Sequence, residues 1–155
     1  MKSIKTINLF ATILLIAFVN ASIVSAQPVV VIVNKVNSVN SLSKQEVQRF
    51  FLTKSKSWPA GKKVNPLHQI DGSAAKKGFL TSVLNMNRLD YQKYWLEKKQ
   101  RSGESEPRAV KSERLMLLFV GAGAESVGYL SKEFYANLKR DDLKKVKVVF
   151  PKVGF

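Results

Sequence analysis

Residues Val29 to Val33 form an unbroken β-branched run closed by Asn34. A run without alternation predicts a strand covered on both faces, as in an α/β sheet. A polar stretch follows, and then Ser43-Lys44-Gln45-Glu46 opens a helix as a capping box, with Val47, Phe50 and Phe51 turned inward. Trp58-Pro59-Ala60-Gly61 reads as a turn, and residues 64–67 as a short extended run. Phe79, Leu80, Val83 and Leu84 recur at spacings of three and four, which predicts an amphipathic helix. Asn87 is placed to cap a further helix over residues 88–99, which carries Leu89, Tyr91, Tyr94 and Trp95.

Residues 98–108 mix charge with Gly103 and Pro107, which predicts a mobile, exposed connection. The next helix spans residues 112–120, with Leu115, Met116, Leu118 and Phe119 expected inside and the Gly121-Ala122-Gly123-Ala124 stretch ending it through positive φ. Residues 126–131 read as a strand and residues 132–140 as a short helical stretch. Lys and Val alternate over 144–150, as in an edge strand protected by charge. About four strands alternating with four or five helices predict an α/β domain, a three-layer sandwich.

Residues 1–26 have the form of a secretory signal peptide. Lys2 and Lys5 precede an apolar stretch over residues 7–19, and Val24-Ser25-Ala26 is a small-residue cleavage site. The apolar stretch is short for a membrane span; an uncleaved anchor is the other reading. Cleavage leaves residues 27–155 as a single domain, exported to the periplasm of a Gram-negative cell and not membrane-spanning.

Cleavage removes Lys2 and Lys5 and takes the formal charge from +15 to +13. Such a charge concentrates anions at the surface, or it serves only as a solubilising shell. The chain has no Cys and a single His, His68. Disulfides, thiol catalysis and multi-histidine metal sites are thereby excluded. No nucleophile–base pair is visible, so neither catalysis nor a cofactor is expected. Tyr91, Tyr94 and Trp95 sit at helical spacing. They are either a stacking surface or, more simply, a helix face packed on the sheet; no nucleic-acid partner is expected.

The densest candidate chemistry is the stretch His68-Gln69-Ile70-Asp71-Gly72-Ser73-Ala74-Ala75-Lys76-Lys77. Gly72 permits a sharp turn, and Ser73 or Asp71 caps the following helix. The first turn of that helix points unpaired N–H groups at one spot beside a hydroxyl, which favours an anion. Lys76 and Lys77 add positive charge nearby. The plainer alternative is an ordinary capped helix.

Asp71-Gly72-Ser73 after a short strand, with Phe79 in the next helix, resembles the phosphate loop of periplasmic phosphate-binding proteins, the substrate-binding components of phosphate ABC transporters. That family's loop runs Arg-x-Asp-Gly-Ser-Gly-Thr. Leu42-Ser43, Phe51-Leu52 and Trp58 are similar to phrases that open the family's second lobe. Val127-Gly128-Tyr129-Leu130 resembles its Ile-Gly-Tyr-Val phrase. The resemblance covers about residues 29–131 and implies one lobe of a type 2 periplasmic-binding fold. It also implies a phosphate or other small oxyanion held by Gly72, Ser73, Ala74, Ala75, Gln69 and Asp71, and a partner in an ABC transporter permease or another envelope protein.

Three positions depart from the family's pattern. Gln69 stands in place of the Arg, Ala74 of the Gly and Ala75 of the Thr. Each charge-assisted hydrogen bond removed costs about 1.5–3 kcal/mol. Arg101 and Arg108 are candidates to replace the missing guanidinium. The alternative function is a basic periplasmic interaction module that keeps the fold, has lost phosphate and binds a protein or an anionic envelope polymer.

Overall fold

The computed structural model describes residues 27–151; the signal peptide expected over 1–26 lies outside them. The strands are β1 (Val29–Asn34), β2 (Asn65–Gln69), β3 (Arg108–Val110), β4 (Ser126–Ser131) and β5 (Val146–Phe150). The helices are α1 (Lys44–Phe51), α2 (Ala74–Phe79), α3 (Arg88–Ser102), α4 (Glu113–Ala122), α5 (Lys132–Ala136) and α6 (Arg140–Leu143). One five-stranded sheet has the order β3-β2-β4-β1-β5. β2 runs parallel to β3 and β4, whereas β1 runs antiparallel to β4 and β5.

Every residue of β1 is buried, as the unbroken apolar run predicts. Val29, Val31 and Val33 face one way, onto Val47 and Phe51 of α1, Phe79 of α2, and Tyr91 and Trp95 of α3. Val30 and Ile32 face the other way, onto Met116, Leu117 and Val120 of α4. Two helical layers therefore enclose the sheet, giving the three-layer α/β architecture. Burying each such Val or Ile side chain is worth about 1.5–3 kcal/mol, so β1 anchors both layers at once.

The capping box forms: Ser43 N–H donates to Glu46 Oε2 at 2.7 Å, and Glu46 N–H to Ser43 Oγ at 3.2 Å. Asn87 caps α3, and Asp90 completes a second box there. Tyr91 and Trp95 are buried, and Tyr94 Oη donates to Leu52 O at 2.8 Å. The aromatic positions of α3 are thus a packing face and not a stacking surface.

Three expectations are corrected. The segment over residues 98–108 is not one mobile loop. α3 continues to Ser102 with Gly103 as its left-handed cap, and β3 begins at Arg108. Glu104, between them, is held by Lys56 at 2.7 Å, by the Thr53 hydroxyl at 2.8 Å and by Lys98 at 3.1 Å. The inward face of α4 is Met116, Leu117 and Val120, while Leu118 is exposed and Leu115 and Phe119 are half-buried. Positions separated by three and four share one helical face, so burying Met116 and Val120 turns Leu118 outward. Finally, Gly123 ends α4 in extended backbone, at φ −106°. Its missing side chain serves close packing instead, because a Cβ there would lie 2.3 Å from Ser126 Oγ.

Candidate functional site: the turn after β2

β2 lies between two parallel neighbours, β3 and β4, and its own connection leaves on the opposite face of the sheet from theirs. After β2 the chain passes to α2 and α3 on one face; after β3 it passes to α4 on the other. The strand order reverses between β2 and β4, so their carboxyl ends form a topological switch point, where open α/β sheets place their ligands. The turn Ile70-Asp71-Gly72-Ser73 sits there, joined to β3 by the Ile70 N–H to Val110 O bond at 3.0 Å.

Local chemistry sets its shape. Gly72 has φ +87°, the left-handed region that glycine enters without strain. Ser73 is the cap of α2: its Oγ accepts from Lys76 N–H at 3.0 Å, and its carbonyl accepts from Lys77 N–H at 3.1 Å. The Ser73 N–H is engaged within the turn by Ile70 O at 3.4 Å. α2 then runs without a break into a π-helical turn, Leu80–Leu84. The N–H groups of Ala74 and Ala75, in the first turn, lie outside the intrahelical ladder. The hydroxyl proton of Ser73 is also available for donation.

A cavity of about 490 Å³ opens beside the turn, lined by Asp71, Gly72, Ser73, Ala74, Lys77, Leu80, Thr81, Asn87 and Arg88. Four of the six residues singled out in the sequence line it. The other two do not. Ala75 is buried in the aromatic core layer, and Gln69 is 1% exposed, its amide donating to Tyr129 O at 3.3 Å. Arg101 is 80% exposed beside Glu97, at the far end of α3 from the turn, and Arg108 lies over the Phe119 ring. Neither lines the cavity; Arg88, at the near end of α3, does.

Asp71 is the charged hub. Lys76 Nζ approaches its Oδ1 at 2.6 Å, Gln92 Nε2 its Oδ2 at 3.4 Å, and Arg88 Nε its Oδ2 at 3.9 Å. The hydrogen bond from Lys76 holds the Asp71 carboxyl below the usual carboxylate range. Lys76 is only 5% exposed and lies over the Tyr91 ring, 5.1 Å from its centroid. Its charge is thus committed to Asp71 and, at 3.9 Å, to Glu106, whereas Lys77 and Arg88 line the cavity, Arg88 at its longer distance from Asp71.

Beneath the turn, His68 is fully buried among Phe51, Phe79, Tyr91 and Tyr129. Its Nδ1 lies 2.9 Å from Tyr129 Oη, which also accepts the Gln69 N–H at 3.1 Å. Burial, reinforced by the Lys76 charge, pushes the His68 pKa well below its ordinary value. The imidazole is neutral at physiological pH and belongs to the scaffold.

Arg88 is the residue that sequence reasoning missed. It follows the Asn87 cap, so its helical position is legible, but its approach to a turn 17 residues earlier depends on how α3 folds back over α2.

No family model matches the sequence, and no curated protein matches it. Solved structures do match. An ABC-type phosphate transport receptor from Vibrio cholerae is 17% identical with a TM-score of 0.57, over 79% of this chain and 45% of that one. A putative phosphate ABC transporter substrate-binding protein from Clostridium perfringens, solved with bound phosphate, is 13% identical with a TM-score of 0.59, over 79% and 44%. PstS from Borrelia burgdorferi is 12% identical with a TM-score of 0.58, over 79% and 46%. The chain spans less than half the length of each. Its fold is that of one lobe of a phosphate-binding protein of the periplasmic-binding type.

Proposed function

We propose that the protein is an exported, non-enzymatic oxyanion-binding protein that takes inorganic phosphate or a similar tetrahedral anion at the turn after β2. The observation that carries this reading is the cavity's donor set at the switch point. The Ser73 hydroxyl, the first-turn N–H groups and the Lys77 and Arg88 cations all belong to residues in or beside its lining. Helix amino-terminal donors favour negative charge, and a guanidinium grips a tetrahedral anion with two donors. The neighbours' phosphate chemistry agrees with this choice of ligand. In this reading Arg88 supplies the guanidinium that Gln69 cannot, since the Gln69 amide is turned into the sheet. The protein works in the periplasm, and an ABC transporter permease or another envelope protein is its partner.

A second reading has an observation of its own. Gln69 and Ala75 remove two of the family pattern's side-chain ligands, while the mature chain keeps a charge of +13. That combination suits a basic interaction module for acidic proteins or envelope polyanions. Calorimetric titration of the mature protein with inorganic phosphate separates the two. Micromolar binding that survives 150 mM salt and falls at least tenfold in Ser73→Ala and in Arg88→Ala supports the first. Absence of heat up to millimolar phosphate, with salt-sensitive binding of any polyanion, supports the second.

A further inference from the structure

α4 is apolar on more than one side. Leu115 to Val120 are six consecutive apolar residues, and the fully buried core takes only Met116, Leu117 and Val120. A helix apolar all round is ordinarily enclosed on all sides. Here Leu115 and Phe119 are half-buried, and Leu118 is 42% exposed. A cavity of about 270 Å³ lies beside this stripe, lined by Arg114, Phe134, Asn137, Leu138, Lys139 and Asp142. Arg114 joins the two, because it is four residues from Leu118 and so shares its face of α4. Phe134 and Leu138 are again half-buried.

The charges around this surface are one-sided. Of the four acids on α4, α5 and α6, three are engaged. Glu113 accepts the Ser131 N–H, Asp142 pairs with Arg114 at 2.6 Å, and Asp141 with Lys144 at 2.9 Å. Among the described residues Lys111, Lys132 and Lys139 are exposed and make no ion pair, and Arg114 is 54% exposed with guanidinium donors to spare. We propose that the outer surface of α4 and α5 is a docking groove for an acidic amphipathic helix of a partner protein. The partner's apolar stripe lies on Leu115, Leu118 and the cavity beside Arg114, and its flanking carboxylates meet Lys111, Arg114, Lys132 and Lys139. A second copy of this chain is disfavoured, because a self-complementary contact sets these cations against their own kind. Half-buried Leu115, Phe119, Phe134 and Leu138 also suit a helix laid into a groove better than insertion into a bilayer.

The test is calorimetry of residues 27–155 with a synthetic helix repeating Leu-Glu-Glu-Leu-Leu-Glu-Ala. One control peptide carries Lys for every Glu, and another carries Ser for every Leu. The acidic amphipathic peptide is expected to bind, and each control to bind about tenfold more weakly or worse. Leu118→Gln, a neutral change at an exposed position, is expected to weaken the acidic peptide about tenfold while leaving the urea midpoint in place. Reversing Lys111 and Lys139 together to Glu is expected to shift preference toward the Lys peptide. Amide shifts on binding should gather on α4 and α5. Equal binding of the Ser peptide, no binding, or an unaffected Leu118→Gln variant overturns the inference. So does a dimer in sedimentation that Leu118→Gln dissolves, which gives the surface to a second copy. Flotation with phosphatidylglycerol–phosphatidylcholine vesicles that Leu118→Gln abolishes gives it to a bilayer and overturns the inference equally. The turn after β2 takes no part, so each of these outcomes leaves the oxyanion reading standing.

Discussion

His68 lies on β2, just before the Ile70-Asp71-Gly72-Ser73 turn, with no access to water. Its folded-state pKa is depressed by burial, whereas in the unfolded chain it returns to an ordinary 6.5. The unfolded state therefore binds the proton more readily, and stability is full above pH 6.5 and falls as pH drops below it. Urea midpoints between pH 8 and pH 5 should decline in the wild type and stay flatter in His68→Gln. Tyr129 serves both His68 Nδ1 and the Gln69 N–H through one hydroxyl. Tyr129→Phe strands these buried groups and should cost about 1–3 kcal/mol in chemical denaturation. Gly72 is a different kind of position. A Cβ meets nothing there, but φ is +87°, so Gly72→Ala should cost about 1–2 kcal/mol through backbone strain alone. The sequence made the glycine's purpose legible, because Asp-Gly-Ser before a helix is a turn signature. It could not show that Gln69 faces away from the turn. Strand alternation gives a side chain's face only once the register with β4 is known.

Elements were read well wherever local chemistry alone decides them. The Ser43 box, the Asn87 cap and the β1 run each follow from a few adjacent residues. β3 was missed because three residues carry no periodicity, and its pairing partner lies about 40 residues earlier. The α4 face was misread because its run of apolar residues satisfies several helical phases equally. The connection between α3 and β3 looked loose because its charges were read singly. In the fold they form a clasp: Glu104 bridges Lys56, Thr53 and Lys98, and Lys98 also donates to Leu52 O at 2.8 Å, closing the carboxyl end of α1. Hydrogen bonds from Lys56, Thr53 and Lys98 bring the Glu104 pKa down to about 2. A depressed carboxylate stabilises above its unfolded value of 4.5, and the contribution is lost as pH falls toward 2. Glu104→Gln should flatten the stability profile in that acid window and leave the His68-dependent window in place.

Across the whole molecule, the switch point is what assembles the candidate site. It depends on strand order, which no short stretch of sequence encodes. The resemblance carried by Asp71-Gly72-Ser73 and Val127-Gly128-Tyr129-Leu130 anticipated the lobe, and the solved phosphate-binding structures share that fold. No described helix is long and apolar enough to cross a membrane. With a formal charge of +15, diffuse attraction of anions is expected everywhere on the surface, screened beyond about 8 Å at physiological salt. Binding at a site differs in being local and salt-tolerant. Amide chemical-shift mapping of residues 27–155 with inorganic phosphate in 150 mM salt makes that distinction most directly. A saturable shift confined to Gly72 through Lys77 and to Arg88 is the predicted result. Small shifts scattered over the surface lysines, or none, would contradict the account.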